Sequence, residues 1–261
     1  MKLGYLGPKG TFSYEAAIKY NSDMEYVEYK TLYETVNAIV NNEVDEIIVP
    51  IENSLQGGVR DVLDSIIETE NIFIKKELIL KINQNLLVSK ETTKENIHTI
   101  YSHPQALAQC KKYLLENFKN VNLIEVASTA LSAKEIIGKT GVAAIANKAC
   151  ATEYGLTLLD ENIQDNDFNE TKFWVLSREK NIAGKKMSMV FSTKNTPGAL
   201  YKVLRIFYSY DINLTKIESR PAKTVLGEYI FLIDLEINKY IETALKDLKE
   251  ECKYIKILGI Y

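Results

Sequence analysis

Three cysteines in 261 residues, Cys110, Cys150 and Cys252, are too few and too scattered for a disulfide framework or a zinc site, and are expected as buried thiols in helices. No stretch approaches about eighteen apolar residues, and no apolar signal core follows Met1, so neither a spanning helix nor secretion is expected. The expected compartment is the cytoplasm. Neither sign of charge dominates: 32 Lys and Arg face 35 Asp and Glu, a net of −3, and no basic run or stripe of cations interleaved with aromatics occurs. Nucleic acid is therefore not an expected partner, nor is a membrane. The glycine spacing fits neither a Walker loop nor a dinucleotide fingerprint, and no metal-ligand cluster is present, so no cofactor is expected. Internal repeats and low-complexity tracts are also missing.

Apolar residues, by contrast, make up 46% of the chain, ample for real cores, and 261 residues are enough for two compact domains or one large one. Over residues 1–178 short apolar strands alternate with amphipathic helices, the pattern of an α/β sheet. Strands are predicted at Leu3–Leu6, Glu46–Val49, Leu86–Val88, Thr99–Tyr101, Leu123–Val126, Val142–Ala146 and Phe173–Leu176. Thr31 and Glu34 form a capping-box pattern ahead of one helix, and Val59, Val62, Leu63, Ile66 and Ile67 mark the apolar face of another. Residues 178–185 are charged, carry a glycine and suit a linker. Over residues 186–261 the order becomes βαββαβ, an α+β ferredoxin-like module.

Ligands of open α/β sheets bind beyond the carboxyl ends of strands, where this chain has four polar corners. Gly7-Pro8-Lys9-Gly10-Thr11-Phe12-Ser13 follows the first strand, and Pro50-Ile51-Glu52-Asn53-Ser54 follows another. Ser128-Thr129 opens a helix bearing Leu131, Ile136 and Ile137. Ser102-His103-Pro104-Gln105 reads as a helix start in which Ser102 caps, Gln105 closes the box, and Leu107, Cys110, Leu114 and Phe118 form the packed face. Each corner alone reads equally as a tight turn or an ordinary cap. Together, in one cleft, they would hold a small anion through neutral donors and helix starts. Thr171, at the head of a strand, reads on its own as a β-former.

These motifs, in this order and over nearly the whole chain, resemble the prephenate dehydratase family: Gly7-Pro8-x-Gly10-Thr11-Phe12-Ser13, Pro50-Ile51-Glu52-Asn53-Ser54, Ser102-His103-Pro104-Gln105-Ala106, Ser128-Thr129-Ala130 and Thr171-x-Phe173. Gly198-Ala199-Leu200 and Glu218-Ser219-Arg220-Pro221 resemble the phenylalanine-binding motifs of its regulatory ACT domain. The resemblance implies a catalytic domain over 1–178 with two lobes folded like a type-II periplasmic binding protein and an active site between them. It implies an ACT domain over 186–261.

What the resemblance implies chemically is loss of carbon dioxide and the ring hydroxyl from prephenate, giving phenylpyruvate on the route to phenylalanine. Thr171 is assigned to the leaving hydroxyl. Thr11, Ser13, Asn53, Ser54, Ser102, Gln105, Ser128, Thr129 and Phe173 are assigned to the substrate, while His103 and Glu52 are expected to pack or orient. Asn195, Gly198, Ala199, Leu200, Glu218, Ser219, Arg220 and Pro221 are assigned to phenylalanine as effector, at an interface in a homodimer or homotetramer. On charge alone Glu218 and Arg220 read as a strand-end ion pair. The family's Thr-Arg-Phe is Thr171-Lys172-Phe173 here, which keeps the charge and loses the bidentate fork. Arogenate, which carries an amino group in place of the keto oxygen, and a non-catalytic sensor of small anions are the rival expectations.

Overall fold

The computed structural model describes residues 1–222 and 228–261. The chain runs β1 (Lys2–Leu6), α1 (Phe12–Tyr20), β2 (Glu25–Tyr29), α2 (Leu32–Val40), β3 (Glu46–Asn53), β4 (Gly57–Gly58), α3 (Arg60–Glu68), β5 (Phe73–Lys81) and β6 (Asn85–Val88). It continues with β7 (Thr99–Ser102), α4 (Pro104–Gln109), α5 (Lys111–Asn117), β8 (Asn122–Glu125), α6 (Thr129–Glu135), β9 (Val142–Ala146), α7 (Lys148–Tyr154), β10 (Thr157–Asp160) and β11 (Glu170–Ser177). The last elements are β12 (Lys186–Thr193), α8 (Ala199–Ser209), β13 (Leu214–Pro221), β14 (Tyr229–Glu236), α9 (Ile241–Glu251) and β15 (Cys252–Ile260).

Two compact units result, one comprising residues 1–63 and 78–174 and the other residues 64–77 and 175–261. The first holds two lobes. One is built on the sheet β2-β1-β3-β11-β5, in which β1 pairs in parallel with β2 and β3, and the other on the sheet β10-β6-β9-β7-β8. The chain passes between them after β5 and returns before β11, which enters the first sheet between β3 and β5.

The second lobe shows why its strands form where they do. Along β9, Ala144 and Ala146 pack on Leu87, Ala130, Ala133 and Cys150, while Ala143 and Ile145 face Leu86, Ile100, Cys110 and Leu114. Both faces are buried, so the strand reads as an unbroken apolar run. The predicted face Leu107, Cys110, Leu114, Phe118 packs as expected, although the helix breaks at Cys110, which ends α4 and precedes α5.

The second unit's four-stranded sheet has the order β13-β14-β12-β15, with α8 and α9 covering one face. Phe191 of β12 and Phe231 of β14 stack at 5.3 Å between ring centroids. Residues 178–185 have no regular structure. One expectation is corrected: Cys252 opens β15 and is only partly buried, because α9 ends at Glu251 and the chain becomes extended at that residue. Among the described residues no helix is long and apolar enough to cross a membrane.

Candidate active site

A cavity of about 310 Å³ in the first unit is walled by residues of both lobes, a size suited to a small metabolite. The β1–α1 turn contributes Thr11, Phe12 and Ser13, and the end of β3 contributes Pro50 and Asn53. The other lobe contributes His103 and Gln105 from the start of α4, and Ser128 and Thr129 from the start of α6. β11 supplies Thr171 and Phe173, whose side chains share a face because a strand alternates.

Charge is what this wall lacks. Among its described residues there is no Asp, Glu, Lys or Arg, and His103 is the one titratable side chain. Three helix caps line it instead. Thr11 Oγ1 accepts from the Tyr14 N–H at 3.2 Å and donates to the Leu6 carbonyl at 3.0 Å; Ser128 Oγ accepts from the Leu131 N–H at 3.0 Å. His103 Nδ1 accepts from the Gln105 N–H at 3.3 Å, which assigns the ring proton to Nε2. A helix start favours negative charge near it by about 0.3–2 kcal/mol. The Ser13 hydroxyl, nearly buried, makes no hydrogen bond among the described residues.

Gln84 and Gln109 complete the wall where the chain crosses between lobes, with Gln84 Nε2 donating to Gln109 Oε1 at 3.2 Å. Buried Gln84 Oε1 has no partner among the described residues. The sequence reading missed both. The signal available for Gln84 is the polar run Asn83-Gln84-Asn85 between two apolar strands; an isolated glutamine in a helix such as Gln109 has none.

Asn53 is the most connected polar side chain at the site. Its Nδ2 donates to Asn169 Oδ1 at 2.8 Å, to the Glu170 carbonyl at 3.1 Å and to Thr171 Oγ1 at 3.0 Å, while its Oδ1 accepts from the Leu55 N–H at 3.1 Å.

Several predicted site residues lie elsewhere. Ser102 is fully buried in β7 and donates to the Ile145 carbonyl at 2.7 Å, off the cavity wall. The cap is His103, because the residue before Pro104 is held extended (φ −68°, ψ 141°) and so becomes the last residue outside the helix. Ser54 is also off the wall: its hydroxyl donates to the Phe168 carbonyl at 2.8 Å and accepts from the Glu170 N–H at 2.9 Å, tying the β3 end to the chain entering β11. Lys172 points away from Thr171 on β11 and pairs with Glu52 at 3.7 Å; neither lines the cavity. The lysine in place of arginine therefore leaves the cavity wall unchanged. Ser102→Ala is expected to cost about 1 kcal/mol of stability, since the Ile145 carbonyl keeps a 3.3 Å bond from Ser132, with steady-state kinetics unchanged. Denaturant unfolding alongside kinetics checks both.

In the second unit a cavity of about 240 Å³ gathers Asn195, Gly198, Ala199 and Leu200 with Thr193, Tyr229 and Phe231. Gly198 takes φ +78° as the cap of α8, a conformation that suits glycine. Glu218, Ser219, Arg220 and Pro221 do not line it. Arg220, nearly buried, pairs with Glu218 at 3.4 Å and with Asp64 of α3 at 2.7 Å, because a buried guanidinium needs carboxylate partners.

Two lobes of the type-II periplasmic-binding-protein kind around an uncharged cavity, followed in the chain by a ferredoxin-like module, define a ligand-gripping α/β enzyme scaffold. Residues 3–181 match the prephenate dehydratase family model and residues 188–253 the ACT domain model. The chain belongs to the prephenate dehydratase family. It is 39% identical over 274 residues to a prephenate dehydratase of Lactococcus lactis subsp. cremoris, covering 100% of this chain and 97% of that one. Among solved structures, prephenate dehydratase of Arthrobacter aurescens in complex with L-Phe superposes with a TM-score of 0.91 at 30% identity, covering 99% of this chain and 89% of the other. GqqA, described as a novel type of quorum-quenching acylase, superposes with a TM-score of 0.90 at 26% identity, covering 99% and 97%.

Proposed function

We propose that this protein converts prephenate to phenylpyruvate and is feedback-inhibited by L-phenylalanine, with residues 1–178 catalytic and 186–261 regulatory, in the cytoplasm as a homodimer or homotetramer. The observation that carries the reading is an uncharged cavity ringed by helix starts, with the Thr171 hydroxyl on its wall. Prephenate is a dianion, and a wall of neutral donors holds it without burying cations that would themselves need partners.

In the reaction the bond from the ring to its carboxylate breaks and releases carbon dioxide. The electron pair enters the ring, the ring hydroxyl departs, and one proton from solvent makes it water. Aromatisation drives the step, so the protein's work is orientation and stabilisation of the departing oxygen. Thr171 donates a hydrogen bond to that oxygen; a threonine is too weak an acid for full transfer. Ser13, Gln105, Ser128, Thr129 and the Thr11 corner face the carboxylates and side-chain carbonyl, and Phe173 with Phe12 walls the ring. His103, its Nδ1 engaged at the cap, orients α4.

Prephenate is favoured over arogenate because no carboxylate lines the described wall to receive an ammonium group. An acylase reading needs a nucleophile beside a base. Burial pushes the Cys150 thiol up to about 12, and no hydroxyl on the wall is hydrogen-bonded to His103 among the described residues. The regulatory half of the reading is supported by the ACT match and by the L-Phe complex of the Arthrobacter relative.

Purified protein given prephenate or arogenate, with and without phenylalanine, tests the reading. Phenylpyruvate is expected, with kcat/KM for prephenate about tenfold or more above that for arogenate, and lower turnover with phenylalanine present. Turnover of neither substrate would leave a sensor, and a preference for arogenate would overturn the substrate assignment.

A further inference from the structure

We infer that Asn53 is a positioning residue that directs the proton of the Thr171 hydroxyl into the cavity, an inference that rests on Thr171 serving the departing oxygen. The orientation of the Asn53 amide is fixed by two backbone groups whose roles are not interchangeable. The Leu55 N–H can only donate, to Oδ1 at 3.1 Å, and the Glu170 carbonyl can only accept, from Nδ2 at 3.1 Å. Nδ2 is therefore the atom that meets Thr171 Oγ1 at 3.0 Å and Asn169 Oδ1 at 2.8 Å.

A hydroxyl has one proton and two acceptor sites. With one acceptor site of Oγ1 taken by Asn53, the Thr171 proton is free to leave in another direction, and no acceptor for it is present among the described residues. Thr171 lies on the cavity wall, so that proton is available to a ligand. Asn53 also borders the cavity, but its two N–H groups are already shared among three acceptors and its Oδ1 is engaged. Little of it remains for a substrate. It acts on the reaction through Thr171.

The test is Asn53→Asp, which keeps the shape and the Leu55 contact and puts an oxygen where Nδ2 stood. Ionised, that oxygen accepts the Thr171 proton and withdraws it from the cavity; protonated, it donates as the amide did. Facing the Glu170 carbonyl and Asn169 Oδ1 in a buried place, the new carboxyl has its pKa raised, and it is neutral below that pKa and charged above it. Glu52 and Lys172 pair with each other off the cavity wall, and His103, on the other lobe's side of the cavity, is common to variant and wild type, so the ratio of variant to wild type isolates the new group.

The expected result is a kcat about 10²-fold below wild type at high pH, with KM raised there as well because the new carboxylate repels the dianion, and with both recovering as pH falls. Asn53→Ala, which keeps no donor, is expected to lower kcat about tenfold at unchanged KM with a pH-independent ratio, and serves if the aspartate variant does not fold. A raised KM with unchanged kcat in either variant, or an aspartate variant with no acid recovery, overturns the inference. Thr171→Ala separates the two readings: if it keeps full turnover, the role of Thr171 fails; if it loses turnover while Asn53→Asp shows no acid recovery, only the positioning role of Asn53 fails.

Discussion

Thr171→Ala is expected to lower kcat for prephenate about 10²–10³-fold, the cost of removing one hydrogen-bond donor aimed at a developing oxyanion. Thr171→Ser, which keeps the hydroxyl, is expected to retain most of the activity. The asymmetry follows from the surroundings. Thr171 sits where Asn53 holds its oxygen at 3.0 Å, and a serine hydroxyl reaches the same partner from the same strand position. The serine variant gives up one methyl group, so it is expected to show a modest loss of stability. Initial rates of phenylpyruvate formation, with thermal unfolding to verify the fold, check both variants. Equal turnover in wild type and Thr171→Ala would remove the hydroxyl from the chemistry.

Gln105→Glu is expected to have an effect of similar size on a different parameter. Gln105 stands on a wall with no charged side chain, facing a substrate with two carboxylates. A carboxylate introduced there repels the dianion by about 3–4 kcal/mol at 4–6 Å and an effective dielectric constant near 20, which corresponds to about 10²–10³ in kcat/KM. Most of this falls on KM, because ground state and transition state carry the same two carboxylates until carbon dioxide departs. The new carboxyl is neutral below its pKa and charged above it, so the defect shrinks as pH falls and grows as pH rises. Steady-state kinetics across pH measure it. A variant with wild-type KM at neutral and higher pH would mean that Gln105 does not face the substrate.

Much of the frame was legible because burial writes itself into residue pattern. Val142–Ala146 was predicted to the residue, since a strand buried on both faces must be apolar throughout. β2 and β5 were not anticipated: Glu25-Tyr26-Val27-Glu28-Tyr29 and Phe73-Ile74-Lys75-Lys76-Glu77 carry charges along their exposed edges, and pairing with a neighbouring strand decides them more than their own composition. β11 was legible as a strand returning to the first sheet, and Thr171 and Phe173 share the cavity face as alternation requires.

The site was legible as a set of corners and less so as individual roles. Ser102 looked like the cap because serine is the better capping residue, yet the restriction Pro104 places on its predecessor moved the cap to His103 and left Ser102 as a strut between strands. Ser54 looked like a ligand contact and is a bridge to residues 168 and 170, more than a hundred positions away, a pairing that no local pattern encodes. Asn53 was found for its place in a motif, whereas its bond to Thr171 spans 118 positions and depends on β3 and β11 lying side by side.

The division of labour between a neutral grip and one hydroxyl is tested most directly by calorimetric titration of prephenate into Thr171→Ala under conditions where the same sample is assayed for phenylpyruvate. Binding with a Kd within about threefold of the wild-type KM and almost no product is the predicted result, since the grip is built from groups other than Thr171. Loss of binding together with turnover, or product formation at the wild-type rate, would contradict it.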